Sequence, residues 1–305
     1  MKSAIHAKRK TDAIISIRQD NTSQSLTILN MNKAAEKLTG YSAQQVAGKS
    51  FNNILSPRVN EILMGYIEFG ASGSDFAAVA RKIPNFQVLS IKGEIVPVSV
   101  KVFNLVGLNG NIQEYEILMR DITLIKKLEE LKEIILQSQN QLEEKDPDTG
   151  LPSINSVVYA LDTSYSFTTQ YSSIEVCFAL IEITNLGYYG ETYGDYIAYE
   201  IIGLLGNVVK KCCRTEDVIG YMGEGVIGVV LIDCNLESAK NVINRIKTKV
   251  DSAKITLQKG TAISLSLSLA YTEVRKERNM VAMIDACEEG LNRNIERGGE
   301  GIVQV

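Results

Sequence analysis

Short hydrophobic runs separated by turn-forming stretches dominate the first part of the chain: Ala13 to Ile17, Ser25 to Leu29, Glu94 to Val102 and Tyr115 to Met119, with Leu108-Asn109-Gly110 before the last. Apolar positions recurring at a period of two turn one face of a strand inward, so these runs predict an antiparallel sheet. Residues 11–123 are expected to form one mixed α and β domain. The pattern changes at Leu124. From there to Lys145 there is no Gly or Pro, and Leu124, Leu128, Leu131, Ile135, Ser138 and Leu142 recur at alternating spacings of four and three. This is a coiled-coil seam with one polar position, which predicts a linker helix over 124–145 and a homodimer through it.

Beyond Asp146, strand-like runs (Ile174 to Ile183, Asp217 to Tyr221, Val226 to Ile232, Leu265 to Tyr271) alternate with helical periods (Asp195 to Lys211, Leu236 to Val250, Val281 to Arg293). Such alternation suggests parallel units, yet the two runs flanking Met222 to Gly225 are close enough to form an antiparallel hairpin. The expected fold class is α+β throughout, with a second domain over 146–305 whose helices pack on one face of a sheet.

At 305 residues, 45% hydrophobic and 22% charged, the chain can bury two separate cores. Its longest apolar or glycine-interrupted run, Val226 to Ile232, is far short of the ~20 residues that span a bilayer. Met1 to Lys10 is basic but leads into Thr11 and Asp12 rather than the apolar core of a secretory signal, and the protein is read as cytoplasmic. A formal net charge of -4 with scattered Lys and Arg offers no basic face for nucleic acid. Cys177, Cys212, Cys213, Cys234 and Cys287 include no Cys-x-x-Cys pair and His6 is the single histidine, which argues against zinc and for reduced, mostly buried thiols.

Particular residues then carry two resemblances. Asn30-Met31-Asn32-Lys33-Ala34-Ala35 with Leu38-Thr39-Gly40-Tyr41, then Gln45 and Gly48, resembles the N-x-A-x-x-x-x-x-G-Y stretch of PAS domains. Lys92-Gly93-Glu94 before an alternating strand and Asp121-Ile122-Thr123 at its end agree with that family's later features. Gly40 also reads simply as a helix cap. PAS domains often hold a ligand between sheet and helices. With no cysteine before Cys177, a light-sensing flavin adduct is not expected, and with only His6 outside the domain neither is haem. An unidentified small molecule, a noncovalent flavin, and an empty PAS used for dimerisation remain open.

Asp146-Pro147-Asp148-Thr149-Gly150-Leu151-Pro152 resembles the D-x-L-T-G-L opening of GGDEF domains, with Asp148 at its leucine position and Ser153-Ile154 at the following Asn-Arg pair. The resemblance implies a diguanylate cyclase fold, in which carboxylates hold Mg²⁺, polar groups read guanine and cations neutralise triphosphate. Thr192-Tyr193-Gly194 fixes the register in which Glu182 keeps a carboxylate at the first metal position. In that register the guanine-reading Asn is Gly190, the guanine-reading Asp is Tyr199, and one lysine is Gly187. The signature hairpin reads Gly223-Glu224-Gly225-Val226-Ile227, so the second metal carboxylate is Gly225 and its acidic neighbour Val226. Glu224 would substitute only if the hairpin slipped by one residue, which would invert the inward side chains of the next strand. The phosphate-binding lysine is Ile295. No catalytic residue set is therefore expected, and no metal, Glu182 alone remaining should Mg²⁺ persist; losses within one electrostatic site act as a unit.

A second site of the family keeps its groups. Arg214-Thr215-Glu216-Asp217 matches the R-x-x-D that binds product cyclic di-GMP, and Arg245 lies where a second arginine is often supplied. Guanidinium groups pair with phosphate and guanine, and a carboxylate accepts from the guanine edge. A short R-x-x-D also occurs as a plain surface ion pair at a strand start. Three functions stay in view: a regulatory module that binds a protein partner or nucleotide, a GTP enzyme with a rearranged site, and a cyclic di-GMP effector. A sensor kinase is excluded, since no phosphoacceptor histidine or Gly-rich ATP motif follows the linker.

Overall fold

The computed structural model describes residues 12–23, 25–69, 75–109, 112–141, 145–253, 255–257 and 262–305. The chain divides into two compact units after Lys126.

In the first unit, β1 (Ala13–Asp20) and β2 (Ser25–Met31) lead into α1 (Lys33–Thr39), α2 (Ala43–Val46), a 3-10 turn (Phe51–Ile54), α3 (Pro57–Phe69) and α4 (Phe76–Ala80). Then β3 (Gln87–Leu89), β4 (Ile95–Asn109) and β5 (Ile112–Asp121) complete an antiparallel sheet of order β2-β1-β5-β4-β3. Gly110 of the predicted turn lies outside the described residues. Ile15, Ile17, Ile28, Ile117 and Met119 bury one face of the sheet completely or nearly so against Phe51, Leu63 and Phe76. Asn32 explains its place in the PAS motif: its Oδ1 accepts from Ala35 N at 2.9 Å, capping α1, and from Ile14 N at 3.0 Å. Its Nδ2 donates to the Asp12 carbonyl at 2.9 Å, so one side chain fastens the helix start to β1. Gly40 caps the other end at φ 76°, and a Cβ there would meet Ile91 Cγ2 at 2.7 Å.

The interior between sheet and helices is aromatic. Phe76 stands edge-on to Phe51 at 5.8 Å and to Tyr115 at 5.5 Å, all three fully buried. Tyr115 Oη lies 2.6 Å from Asp75 Oδ1 and 3.1 Å from Gln19 Oε1, and burial pushes its pKa up.

In the second unit, α5 (Thr123–Gln141), which begins in the first, is followed by α6 (Ile154–Gln170), β6 (Val176–Ile183), α7 (Leu186–Tyr193), α8 (Asp195–Lys210), β7 (Val218–Gly223), β8 (Val226–Ile232) and α9 (Leu236–Ser252). A short ribbon of β9 (Ile255–Thr256) and β10 (Ala262–Ile263), then β11 (Leu267–Glu273), α10 (Met280–Glu296) and β12 (Gly301–Gln304) complete it. The main sheet has order β12-β11-β6-β8-β7, antiparallel except for the β11–β12 pair.

The expectation of helices on one face is corrected. α8 and α9 pack Ile201, Leu205, Ile243 and Ile246 against one side of the sheet, while α5, α6 and α10 pack Leu131, Val157, Leu161, Cys287 and Leu291 against the other. The cause is visible in β6, where every residue but Glu182 is buried, as in a strand covered on both sides.

The linker seam meets the same sheet. Leu131 and Ile135 are fully buried in the core of the second unit, with Leu128 half-buried beside them, while Leu124 stays exposed. Ser138 donates to the Ile135 carbonyl at 2.7 Å, and Leu142 lies outside the described residues. The prediction of a homodimer rests on a seam with no partner in its own chain; Leu131 and Ile135 have one.

The Asp146 turn is structural. Asp146 Oδ1 accepts from Thr149 N at 2.8 Å and Thr149 Oγ1 at 2.7 Å. Two glycines of α8 receive this turn: a Cβ on Gly203 would meet the Thr149 carbonyl at 2.9 Å, and one on Gly206 would meet Leu151 Cδ2 at 2.3 Å.

Candidate functional site

Of the residues expected at a nucleotide cleft, Glu182 lies on β6, Gly187 and Gly190 on α7, Tyr199 on α8, Gly223 to Ile227 in the β7–β8 hairpin and Ile295 on α10. Glu182 faces Val226 across the β6–β8 ladder, and Val226 follows a two-residue turn made of Glu224 and Gly225, both at positive φ (52° and 81°). The ladder shifts register between Tyr221 and Gly223. The irregularity is thus taken up in β7 beside Met222, and β8 keeps its buried faces from Ile227 to Ile232. Burial raises the Glu182 pKa, and the negative charge of Glu224 raises it further. The turn is closed by Tyr221 Oη, which accepts from Gly225 N at 3.5 Å.

Gly190 stands on α7 with only Asp195 Oδ1 near a notional Cβ, at 3.9 Å. Tyr199 and Ile295 are partly exposed, at 36% and 40%, and Tyr188 is more so at 63%. Tyr189 turns into the protein, where its Oη donates to the Ser264 carbonyl at 2.7 Å. Two carboxylates are enough to touch Mg²⁺ when substrate phosphates complete its shell. Among the described residues, however, no group of three or more His, Cys, Asp or Glu is placed to hold a metal.

The R-x-x-D site is a defined pocket. Arg214, Asp217 and Arg245 converge with Cys212, Cys234, Ser238 and Asn241 on a cavity of about 260 Å³ between the start of β7, the end of β8 and α9. Asp217 is buried, its Oδ2 accepting from Arg214 N at 2.6 Å and its Oδ1 from Ile232 N at 3.1 Å. Burial lifts its pKa, and the two backbone bonds oppose that rise. Arg245 Nη2 donates to the Cys212 carbonyl at 2.5 Å. The ring of contacts leaves the exposed Arg214 guanidinium, the remainder of the Arg245 fork and the free lone pairs of Asp217 facing the cavity.

Sequence reasoning did not find Ser238 and Asn241. Their signal was available, because positions 238, 241 and 245 lie on one face of α9 at helical spacing. The five cysteines are free thiols, four of them buried, and burial pushes Cys213 and Cys287 up to about 12. No helix among the described residues is long and apolar enough to cross a membrane.

Comparison with known proteins agrees with this architecture. A family profile described as diguanylate cyclase, GGDEF domain, matches residues 143–300, and a PAS domain profile matches 11–124. The chain is 24% identical over 132 residues to the probable diguanylate cyclase DgcT of Escherichia coli, across 40% of this chain and 29% of that one. It is 30% identical over 94 residues to the uncharacterized protein YhcK of Bacillus subtilis, across 30% of this chain and 26% of that one. Both alignments span less than a third of the relative. The crystal structure of diguanylate cyclase SiaD from Pseudomonas aeruginosa, in complex with its activator SiaC, superposes with a TM-score of 0.51 at 16% identity, over 60% of this chain and 69% of that one. The fold, the motif order and the profile over just over half of the chain place it in one family: this is a GGDEF protein with a PAS domain ahead of its GGDEF domain.

Proposed function

We propose that this protein is a cytoplasmic signalling module in which a PAS sensor is joined to a GGDEF domain that does not make cyclic di-GMP but receives it. The observation that carries the reading is the convergence of Arg214, Asp217 and Arg245 on one cavity, while the cleft keeps neither base reader nor lysine at Gly190, Tyr199, Gly187 and Ile295. A 260 Å³ cavity suits one base-and-phosphate half of a cyclic dinucleotide, with the other half outside. Calorimetric titration with cyclic di-GMP tests this. Arg214→Ala should weaken binding at least tenfold, ~1.4 kcal/mol. Tight binding untouched by Arg214→Ala and Asp217→Ala would place the ligand elsewhere.

One observation favours a second reading, an enzyme with a non-standard GTP site: the charge of Glu224, in the hairpin turn, is felt at Glu182 and raises its pKa. Incubation with GTP and Mg²⁺ separates the two. For the PAS domain we propose signalling without haem. A noncovalent flavin or other small molecule would have to displace the Phe51, Phe76 and Tyr115 stack, and a flavin titration that leaves fluorescence unquenched supports the empty form. A homodimer would have to form through surfaces other than Leu131 and Ile135. A protein partner is the remaining route of output, the SiaD complex with its activator being a precedent in a relative.

A further inference from the structure

The two loops that build the Arg214 pocket are also the loops that hold the linker helix. Lys132 of α5 places its Nζ 3.5 Å from Glu216 Oε1 and 3.3 Å from Asp233 Oδ2. About two turns further along, Gln139 Nε2 donates to the Asp217 carbonyl at 3.4 Å. Asp217 is therefore gripped from two sides: α5 bonds its backbone oxygen, while its carboxylate lines the pocket and ties Arg214 N to Ile232 N. Asp233 sits between Ile232 and the pocket residue Cys234, at a φ of 55° that a non-glycine residue adopts only when its surroundings hold it there.

We infer that occupancy of the Arg214 pocket and seating of α5 are linked, so that a guanine nucleotide bound between Arg214 and Arg245 tightens the hold on the Lys132 to Gln139 stretch of the helix. This rests on the pocket taking cyclic di-GMP, as proposed above. Leu131 and Ile135 are fully buried and form the fixed part of the contact. The adjustable part is polar: the partners of Lys132 are partly exposed, Glu216 less than Asp233, and exposed pairs are individually weak. A ligand that orders the 212–217 and 233–235 segments removes freedom that Lys132 and Gln139 must otherwise remove alone. Linkage is reciprocal, so release of the helix must loosen the pocket by the same factor. The helix starts at Thr123, two residues past the end of the last PAS strand, so the element that senses the pocket is continuous in the chain with the sensor.

Hydrogen exchange on the full chain, with and without saturating cyclic di-GMP, tests the linkage beside calorimetry. Amides of residues 131–139 are expected to exchange at least threefold more slowly with ligand, and the slowing is expected to vanish in Arg214→Ala. Gln139→Ala, which changes no charge and removes only a bond to a backbone carbonyl, is expected to weaken binding about threefold. Lys132→Ala is expected to do at least as much, and Lys132→Arg to recover most of the loss. Heat of binding that is abolished by Arg214→Ala, with 131–139 exchange unchanged, would leave the receptor reading standing and overturn the linkage. No heat from the wild-type chain would overturn both.

Discussion

Arg214 and Asp217 are bonded to each other through the backbone, the Asp217 carboxylate accepting from Arg214 N at 2.6 Å. The two members of the expected ligand site thus have unequal duties. Asp217 is part of the fold, whereas the Arg214 side chain is exposed.

Asp217→Ala should consequently lower stability as well as affinity, because it leaves the buried N–H of Ile232 and the N–H of Arg214 without their acceptor. Each orphaned donor costs about 1 to 3 kcal/mol, so the melting temperature of the GGDEF unit should fall by at least 4 °C. Arg214→Ala should leave it unchanged within about 1 °C. Equal melting temperatures for both variants would show that the carboxylate is not structural.

The R-x-x-D spacing made this pocket legible, but not the occupation of its carboxylate, since the Ile232 N–H comes from a strand fifteen residues away. The strands of the first unit were legible because β1 alternates buried and less buried positions from Ala13. α6 was not. Its inward face carries Ser156, Ser164 and Thr168 among the apolar residues, which breaks the hydrophobic period. Of the seam of α5, Leu131 and Ile135 are buried and Leu124 is not, and what covers the buried pair lies in the same chain, because periodicity reports a stripe and not what covers it.

Leu131→Ala should destabilise the GGDEF unit by about 2 to 5 kcal/mol, the usual loss for a fully buried leucine. The effect should be the same at low and high protein concentration, since the packing lies within one chain. A melting temperature that falls only on dilution would instead assign Leu131 to a dimer.

No cyclic di-GMP is expected from GTP and Mg²⁺, either with the wild-type chain or with Gly225→Asp. Position 225 has a φ of 81°, and a Cβ there would meet Leu186 Cδ2 at 2.7 Å, so the restored carboxylate would arrive strained, with Gly190, Tyr199 and Ile295 still in place of the base readers and lysine. Chromatographic detection of product from either protein would refute this and favour the paired Glu182 and Glu224 as a working site.

Stability should report on Glu182 through pH. Its folded-state pKa is raised above 4.5 by burial first and by Glu224 second, so its favourable contribution is present below pH 4.5 and is lost as pH rises through the folded value. Glu182→Gln should therefore melt higher than wild type at pH 7, by about 1 to 2 °C, with the gap closing as pH falls toward 4.5. A gap that is constant with pH would mean that the Glu182 pKa is not raised in the fold.

Gly203 and Gly206 fix α8 against motion along its own axis. Every other residue of that helix carries a Cβ, so a slide by one turn, about 5.4 Å, would drive a side chain into the Thr149 carbonyl or the Leu151 methyl groups. Translation is closed to α8. α5, which has no glycine, is held to the opposite face instead by the buried side chains of Leu131 and Ile135, so the helices on the two sides of this sheet are fixed by opposite means, close backbone approach on one and inserted bulk on the other.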